Sequence, residues 1–294
     1  MLNNIKNILL PLNGSGDLES VMGIALEFAK RFEAHLSAVV VGSDPSEVAT
    51  LAGEGLSAGM VSEMIDAAAN EAQRRAIEVR AYFDTLMRQN AIERYSPSSA
   101  SSPPGEHVSA SLDVLDGSEH DAITWRARLA DMTLVPFLAT DADPRASETL
   151  HAILFDSGRP LVIAPPKPPK SVGKRIAIAW NGTPESSLAL RCTLPWAKTA
   201  EAVQILTSPT YQRRGPEAED VLAYLRLHGI SATARTFEPI DRSVGSGLLT
   251  AAQEFEADML SMGAYSHSRL RQMILGGVTR HILENANLTV LMSR

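Results

Sequence analysis

The segment "RIAIAWNGTPESSLALRCTLPWAK" (residues 175–198) decides the fold, because "NILLPLNGSGDLESVMGIALEFAK" (residues 7–30) has already run through the same pattern. The two align without a gap at an offset of 168 residues. Asn13-Gly14-Ser15 falls on Asn181-Gly182-Thr183, and Ala29-Lys30 falls on Ala197-Lys198. Each copy reads as a short apolar strand, a polar turn and a helix-period segment. Self-similarity at so long an offset indicates a duplicated domain and not a solenoid.

The ends of the two halves correspond as well. "ADMTLVPFLA" (130–139) matches "ADMLSMGAYS" (257–266), and "RPLVIAPP" (159–166) matches "NLTVLMSR" (287–294). The offset there drops to about 127 or 128, so the first half holds roughly forty extra residues between positions 43 and 107. The proline-rich "APPKPPKSVGK" (164–174) is a semi-rigid linker, which sets a first domain at 1–165 and a second at 173–294.

In the second half, strands are expected at about 175–180, 202–207, 231–237, 258–262 and 288–292, and helices at 184–199, 216–228, 245–257 and 277–286. The strands read as short continuous apolar runs, the pattern of a sheet covered on both faces. Alternating βα units with right-handed crossovers give an α/β protein of two tandem, open, doubly wound, five-stranded parallel sheets. The first copy carries a helical insert (about 46–107), with a long helix at about 60–91 and a flexible loop at 96–105. Ligands of such sheets bind beyond the carboxyl ends of the strands, where strand order reverses, so the loops after strands one and four are the places to look.

Composition narrows the function classes. A net charge of −7 over 294 residues lacks the basic surplus of a general nucleic-acid binder. The single cysteine, Cys192, forms no disulfide within the chain and reads as a buried structural thiol in a reducing compartment. The first apolar run, "NILLPL", is too short for a signal segment or a membrane span, so the expected location is cytoplasmic, with no membrane partner.

The fourth-strand loop carries the chemistry. In "MLSMGAYSHSRLRQMILGGVTRHIL" (259–283), an apolar run stops at Gly263, and Gly276-Gly277 open a helix. Glycines permit close backbone approach and positive φ, and the helix start offers N–H groups and the positive end of a dipole. Thr279 adds a hydroxyl, and His267, Arg269 or Arg271 could neutralise phosphate. The other reading is ordinary strand-to-helix turn chemistry with solvated basic residues. On the residues alone both stand.

These residues resemble the universal stress protein family, in its tandem form, over nearly the whole chain apart from the insert. In nucleotide-binding members the loop reads Gly, two residues, Gly, nine residues, then Gly followed by Ser or Thr. This chain keeps the spacing as Gly263, Ala264-Tyr265, Ser266, residues 267–275 and Gly276-Gly277, with two of the four signature positions changed. The resemblance implies an adenine-nucleotide alpha hydrolase-like fold and ATP or another adenine nucleotide as ligand, with Mg²⁺ as a candidate companion ion. The implied contacts are Ala179, Trp180, Asn181, Met262, Gly263, Ser266, His267, Gly276, Gly277, Val278 and Thr279. Where binding members have an Asp at the first-strand turn, both copies here have Asn, at 13 and 181. An Asn can still hold a ribose or adenine edge, or it can simply make an Asx turn.

The first half departs further, since Glu148 and Thr149 align with Gly276 and Gly277, and a carboxylate there would repel phosphate. It is expected to be a structural partner without a nucleotide site. Gly14-Ser15-Gly16 is a lone G-x-G with Glu19 at the third glycine position, so it does not make a dinucleotide fingerprint. No metal-ligand spacing, nucleophile elbow or phosphate-binding lysine loop is present, so a dedicated catalyst is not expected; slow ATP hydrolysis in the second half stays open. The resemblance further implies an intramolecular pseudo-dimer through the last strands, "PLVIA" and "LTVLM", and leaves a homodimer of chains open. Against the nucleotide-binding regulator stands a rival: a nucleotide-free interaction protein of the same fold, with protein partners yet to be identified.

Overall fold

The computed structural model describes residues 5–12, 18–42, 44, 57–100, 107–138, 144–213, 215–265 and 277–294. The first half runs β1 (Asn7–Pro11), α1 (Leu18–Phe32), β2 (His35–Val41), α2 (Ala58–Gln89), β3 (Glu93–Arg94), β4 (Ser109–Leu115), α3 (Glu119–Ala127), β5 (Met132–Val135), α4 (Pro144–Asp156) and β6 (Leu161–Ile163). The second runs β7 (Arg175–Ala179), α5 (Pro184–Ala197), β8 (Ala202–Thr207), α6 (Ala218–Leu227), β9 (Thr233–Thr236), α7 (Val244–Glu254), β10 (Met259–Gly263), α8 (Val278–Asn285) and β11 (Thr289–Ser293).

The strands form one sheet in the order β3-β4-β2-β1-β5-β6-β11-β10-β7-β8-β9. Within each half all pairs are parallel, and the five repeated strands keep the same relative order. The halves meet where β6 and β11 pair antiparallel, with Ile163 opposite Val290 and Leu161 opposite Met292. The two expected sheets are therefore continuous. Each apolar last strand, which alone would be an open edge, is covered by the other.

The expected insert helix is present as α2, 32 residues long, but it fully buries only Val79, Phe83 and Met87, with Ala76 and Leu86 packed beside them. That spacing of four keeps one stripe against the sheet, while Met60, Met64 and Ile77 remain exposed. The reading of every strand as a buried apolar run fails at β9, whose four residues are all exposed. It ends the sheet, so only one neighbour covers it, and its Arg235 pairs with Glu254 at the end of α7.

Cross-half packing centres on Trp196 of α5, whose ring lies 5.2 Å from Phe28 and 5.0 Å from Phe32 of α1. Beside it, the Arg31 guanidinium donates to the Val172 carbonyl at 3.1 Å, to those of Gly173 and Trp196 at 3.4 Å, and to the Thr199 hydroxyl. One α1 side chain thus ties down the linker and the end of α5.

Candidate functional site

Strand order in the second half reverses between β7 and β10, and a narrow slot of about 30 Å³ opens at their carboxyl ends. Six of the expected contacts line it: Ala179, Trp180, Asn181, Met262, Gly263 and Val278. Ser266, His267 and Gly276 lie outside the described residues, as do Asn13, Arg269 and Arg271.

Each wall has a local cause. β7 ends at a turn in which the Asn181 side-chain oxygen accepts from the Thr183 N–H (3.3 Å) and the Thr183 hydroxyl (2.9 Å). Those are the bonds of an Asx turn, and they leave the Asn181 Nδ2 group without a partner among the described residues. The two readings of Asn181 thus divide between the two atoms of its amide. Gly182 continues the turn at φ +80, a conformation that favours glycine. Thr183 then caps α5, accepting from the Ser186 N–H, with Pro184 opening the helix.

α5 lies across β10 and is held there by polar groups. Ser261 Oγ and Thr193 Oγ1 are 2.6 Å apart, and both reach the Ala189 carbonyl, at 3.3 and 2.7 Å. At the end of β10, Gly263 sits so close to α5 that a Cβ would lie 2.5 Å from the Ser186 nitrogen. Its glycine is required by the protein itself.

The loop after β8 closes the slot from the other side, contributing Ser208 and Tyr211. It folds onto the Asn181 turn: the Arg213 N–H donates to the Asn181 carbonyl at 2.8 Å, and the Trp180 indole donates to the Pro216 carbonyl at 2.9 Å. A Cβ on Gly215 would stand 2.3 Å from the Gly182 oxygen, so the two backbones meet at a pair of glycines. Arg213 lies 5.6 Å from the centre of the Tyr211 ring. Leu206, Phe237, Val244 and Leu248 complete an apolar interior. The expectation that loops one and four would form the site missed this contribution from the second and third. The signal was legible as "TSPTYQRRGP" (207–216), a turn-rich stretch after a strand with an aromatic and two arginines.

At the far wall stands Val278, the first residue of α8; Gly277 before it does not line the slot and is the N-cap, with φ −87, ψ 171 and no side-chain cap. The positive φ that a glycine permits is not adopted here, because an N-cap needs only extended backbone. A Cβ at this position would meet nothing within 4 Å, so close approach at Gly277 is not required by the protein. Thr279 is not part of the slot lining. Its hydroxyl accepts from the Tyr265 N–H at 3.2 Å, tying residue 265 to the start of α8.

Tyr265, at φ +50, turns away from the slot and onto the first half. Its ring lies 5.0 Å from Phe155, and its hydroxyl is 2.9 Å from His151 Nε2. His151 Nδ1 lies 2.6 Å from the Ser147 carbonyl and must donate to it, so in the neutral ring Nε2 accepts from the phenol. Burial pushes the Tyr265 phenol above its ordinary pKa.

The equivalent crevice of the first half is different. Pro136 aligns with Gly263, and with Leu138, Ala146 and Leu150 it lines a pocket of about 20 Å³ that is apolar apart from Thr149. α4 also starts at Pro144, about six residues before the position matching the start of α8. Glu148 is therefore not at a helix start, as the alignment suggested. It is a solvent-exposed residue in the second turn, while Thr149 is buried and donates to Glu119 at 3.3 Å.

Among the described residues no helix is long and apolar enough to cross a membrane, and no group of three or more His, Cys, Asp or Glu could hold a metal. No curated protein sequence matches this one. A universal stress protein from Archaeoglobus fulgidus DSM 4304 superposes at a TM-score of 0.67 with 15% identity, covering 100% of this chain and 98% of its own. A Pseudomonas aeruginosa UCBPP-PA14 protein provisionally assigned to the same family gives 0.57 with 15% identity, over 99% and 94%. A universal stress protein in complex with cAMP covers 41% of this chain and 97% of its own, at 20% identity and a TM-score of 0.31. At these identities the full-length likeness is one of fold, and the sequence match to the universal stress protein family model spans residues 174–294. Residues 174–294 thus belong to the universal stress protein family, and the chain as a whole has the fold of a universal stress protein of its own length.

Proposed function

We propose that the second half binds ATP or another adenine nucleotide and acts as a ligand-responsive regulator, with the first half as its structural partner. The observation that carries this reading is the slot at the β7/β10 reversal, with the start of α8 on its wall. An apolar interior with an aromatic residue on the loop above it suits a planar base. The few polar groups, Asn181 Nδ2 and the Ser208 and Tyr211 hydroxyls, suit its edge or the sugar. The start of α8 suits phosphate, because its N–H groups and dipole favour an anion. Binding would stabilise the loops on either side of the slot, giving a surface that a partner could read.

Isothermal calorimetry with ATP tests this. Micromolar binding is expected, weakened about a hundredfold in Gly277→Glu, where space exists for the side chain but its charge opposes phosphate. Glu148→Gln should leave binding unchanged. No heat at millimolar ATP would sink the reading and favour the nucleotide-free interaction protein. That rival draws on the exposed Met60, Met64 and Ile77 of α2.

A further inference from the structure

A second cleft, of about 620 Å³, opens where the halves meet at the amino ends of β1, β5 and β6. Its other wall is the outer face of α5 and the end of α6. Leu188, Arg191, Cys192, Pro195 and Lys198 share that face at helical spacing, away from the side that buries Ala189 and Thr193, and Trp196 reaches the cleft from its border. Ile5, Met132, Leu188, Leu194 and Tyr224 give the cleft an apolar floor. Arg159, Arg191 and Lys198 stand around it, and His228 rests with its ring 4.6 Å from Tyr224.

The charge balance is unusual for this protein. The chain carries a net −7, yet three cations line the cleft against one carboxylate, Asp131. That carboxylate already accepts from the backbone N–H groups of Lys6 and Asn7, at 2.7 and 2.9 Å. Arg191 and Lys198 have no side-chain partner among the described residues. Unpaired cations beside apolar surface favour a ligand that satisfies both, because charge-assisted hydrogen bonds strengthen where water is partly excluded.

We propose that this cleft is a binding site, separate from the nucleotide slot, for an amphipathic organic anion. The aliphatic or aromatic body lies on the floor, and a single carboxylate meets Arg191 and Lys198. The apolar floor selects against inorganic anions, and the rim selects against neutral or cationic ligands. None of this depends on the nucleotide reading, since the two cavities share no lining residue.

The sole cysteine serves as a local reporter, because Cys192 is in the cleft wall. The test follows alkylation of Cys192 by N-ethylmaleimide in the full chain, with decanoate as the probe ligand. Decanoate near saturation should slow the reaction about tenfold, and inorganic phosphate at matched ionic strength should not. The exposed double variant Arg191→Glu/Lys198→Glu should lose the protection, with at least about tenfold weaker decanoate binding, while its circular dichroism stays that of the parent. Three results would overturn the proposal: no protection by decanoate, equal protection in the double variant, or equal protection by phosphate or ATP.

Discussion

Gly263→Ala adds one methyl group where the structure has no room for it. Its carbon would stand 2.5 Å from the Ser186 nitrogen and 2.6 Å from the Glu185 carbonyl carbon, against the 3.4–4 Å of ordinary contact. Both neighbours are backbone atoms in the first turn of α5, so no side chain can swing aside. β10 or α5 must retreat by close to 1 Å. α5 resists, because it is capped by Thr183, bonded to β10 through Thr193 and Ser261, and wedged at its far end by Trp196. Overpacking of this kind costs about 1–3 kcal/mol, and a contact with fixed backbone belongs at the upper end, about 2–3 kcal/mol. For a domain of this size that lowers Tm by roughly 5–10 °C. The retreat also widens the slot that Gly263 lines, so ATP affinity should fall with stability. The assay is urea unfolding followed by tryptophan fluorescence, with Gly277→Ala as the control. That substitution meets nothing within 4 Å at φ −87 and should cost less than about 1 kcal/mol. A Gly263→Ala protein as stable as the parent, or one less affected than Gly277→Ala, would refute the reasoning.

Three further expectations can be checked independently. His35 sits between the Ser109 hydroxyl (2.8 Å from Nδ1) and the Ser111 hydroxyl (3.0 Å from Nε2), and burial lowers its pKa to about 4. The unfolded chain therefore takes up the proton first, so stability is full above pH 6.5 and about 3 kcal/mol is lost as pH falls to about 4; His35→Asn should abolish that share in paired unfolding curves. Arg31→Ala leaves the Val172, Gly173 and Trp196 carbonyls without their shared donor, and should cost about 2–3 kcal/mol by urea denaturation. On the nucleotide reading, Asn181→Asp keeps the oxygen that Thr183 uses and turns the unpartnered Nδ2 into an acceptor, so ATP should bind about tenfold tighter by calorimetry while 2′,3′-dideoxy-ATP gains nothing.

The fold was legible because it rests on local signals repeated twice. The 168-residue offset fixed β1 against β7, and Thr183-Pro184 marked the start of α5 as cap and first turn. The insert helix was readable from composition to within two residues of α2. Long-range effects were not legible. Nothing in "TART" says that β9 ends the sheet, so its exposure follows only from strand order. Aligning Glu148 with Gly276 assumed equal helix lengths, and α4 is 13 residues where α8 is 8. Ser208 and Tyr211 of the slot came from the loop after β8, which is held by a Gly182–Gly215 contact between residues 33 positions apart.

The duplication also leaves the two halves with unequal surroundings. An antiparallel β6–β11 join places α4 of the first half beside the end of β10 in the second. There His151 and Phe155 receive Tyr265, the described residue that immediately precedes segment 266–276, and the Arg294 guanidinium lies 4.2 Å over the Phe155 ring. Tyr265 is also tied to Thr279 at the start of α8. One residue therefore links the first half, the end of β10 and the start of the helix that faces the slot. A change in the first half that moves α4 would reach the slot through Tyr265 by direct contact. In the first half itself, Pro136 replaces the glycine at the corresponding strand end, and Leu138 and Ala146 line the corresponding crevice without a polar group of their own. Loss of the close-approach glycine is a change that one copy can absorb while the other keeps Gly263 against the first turn of α5.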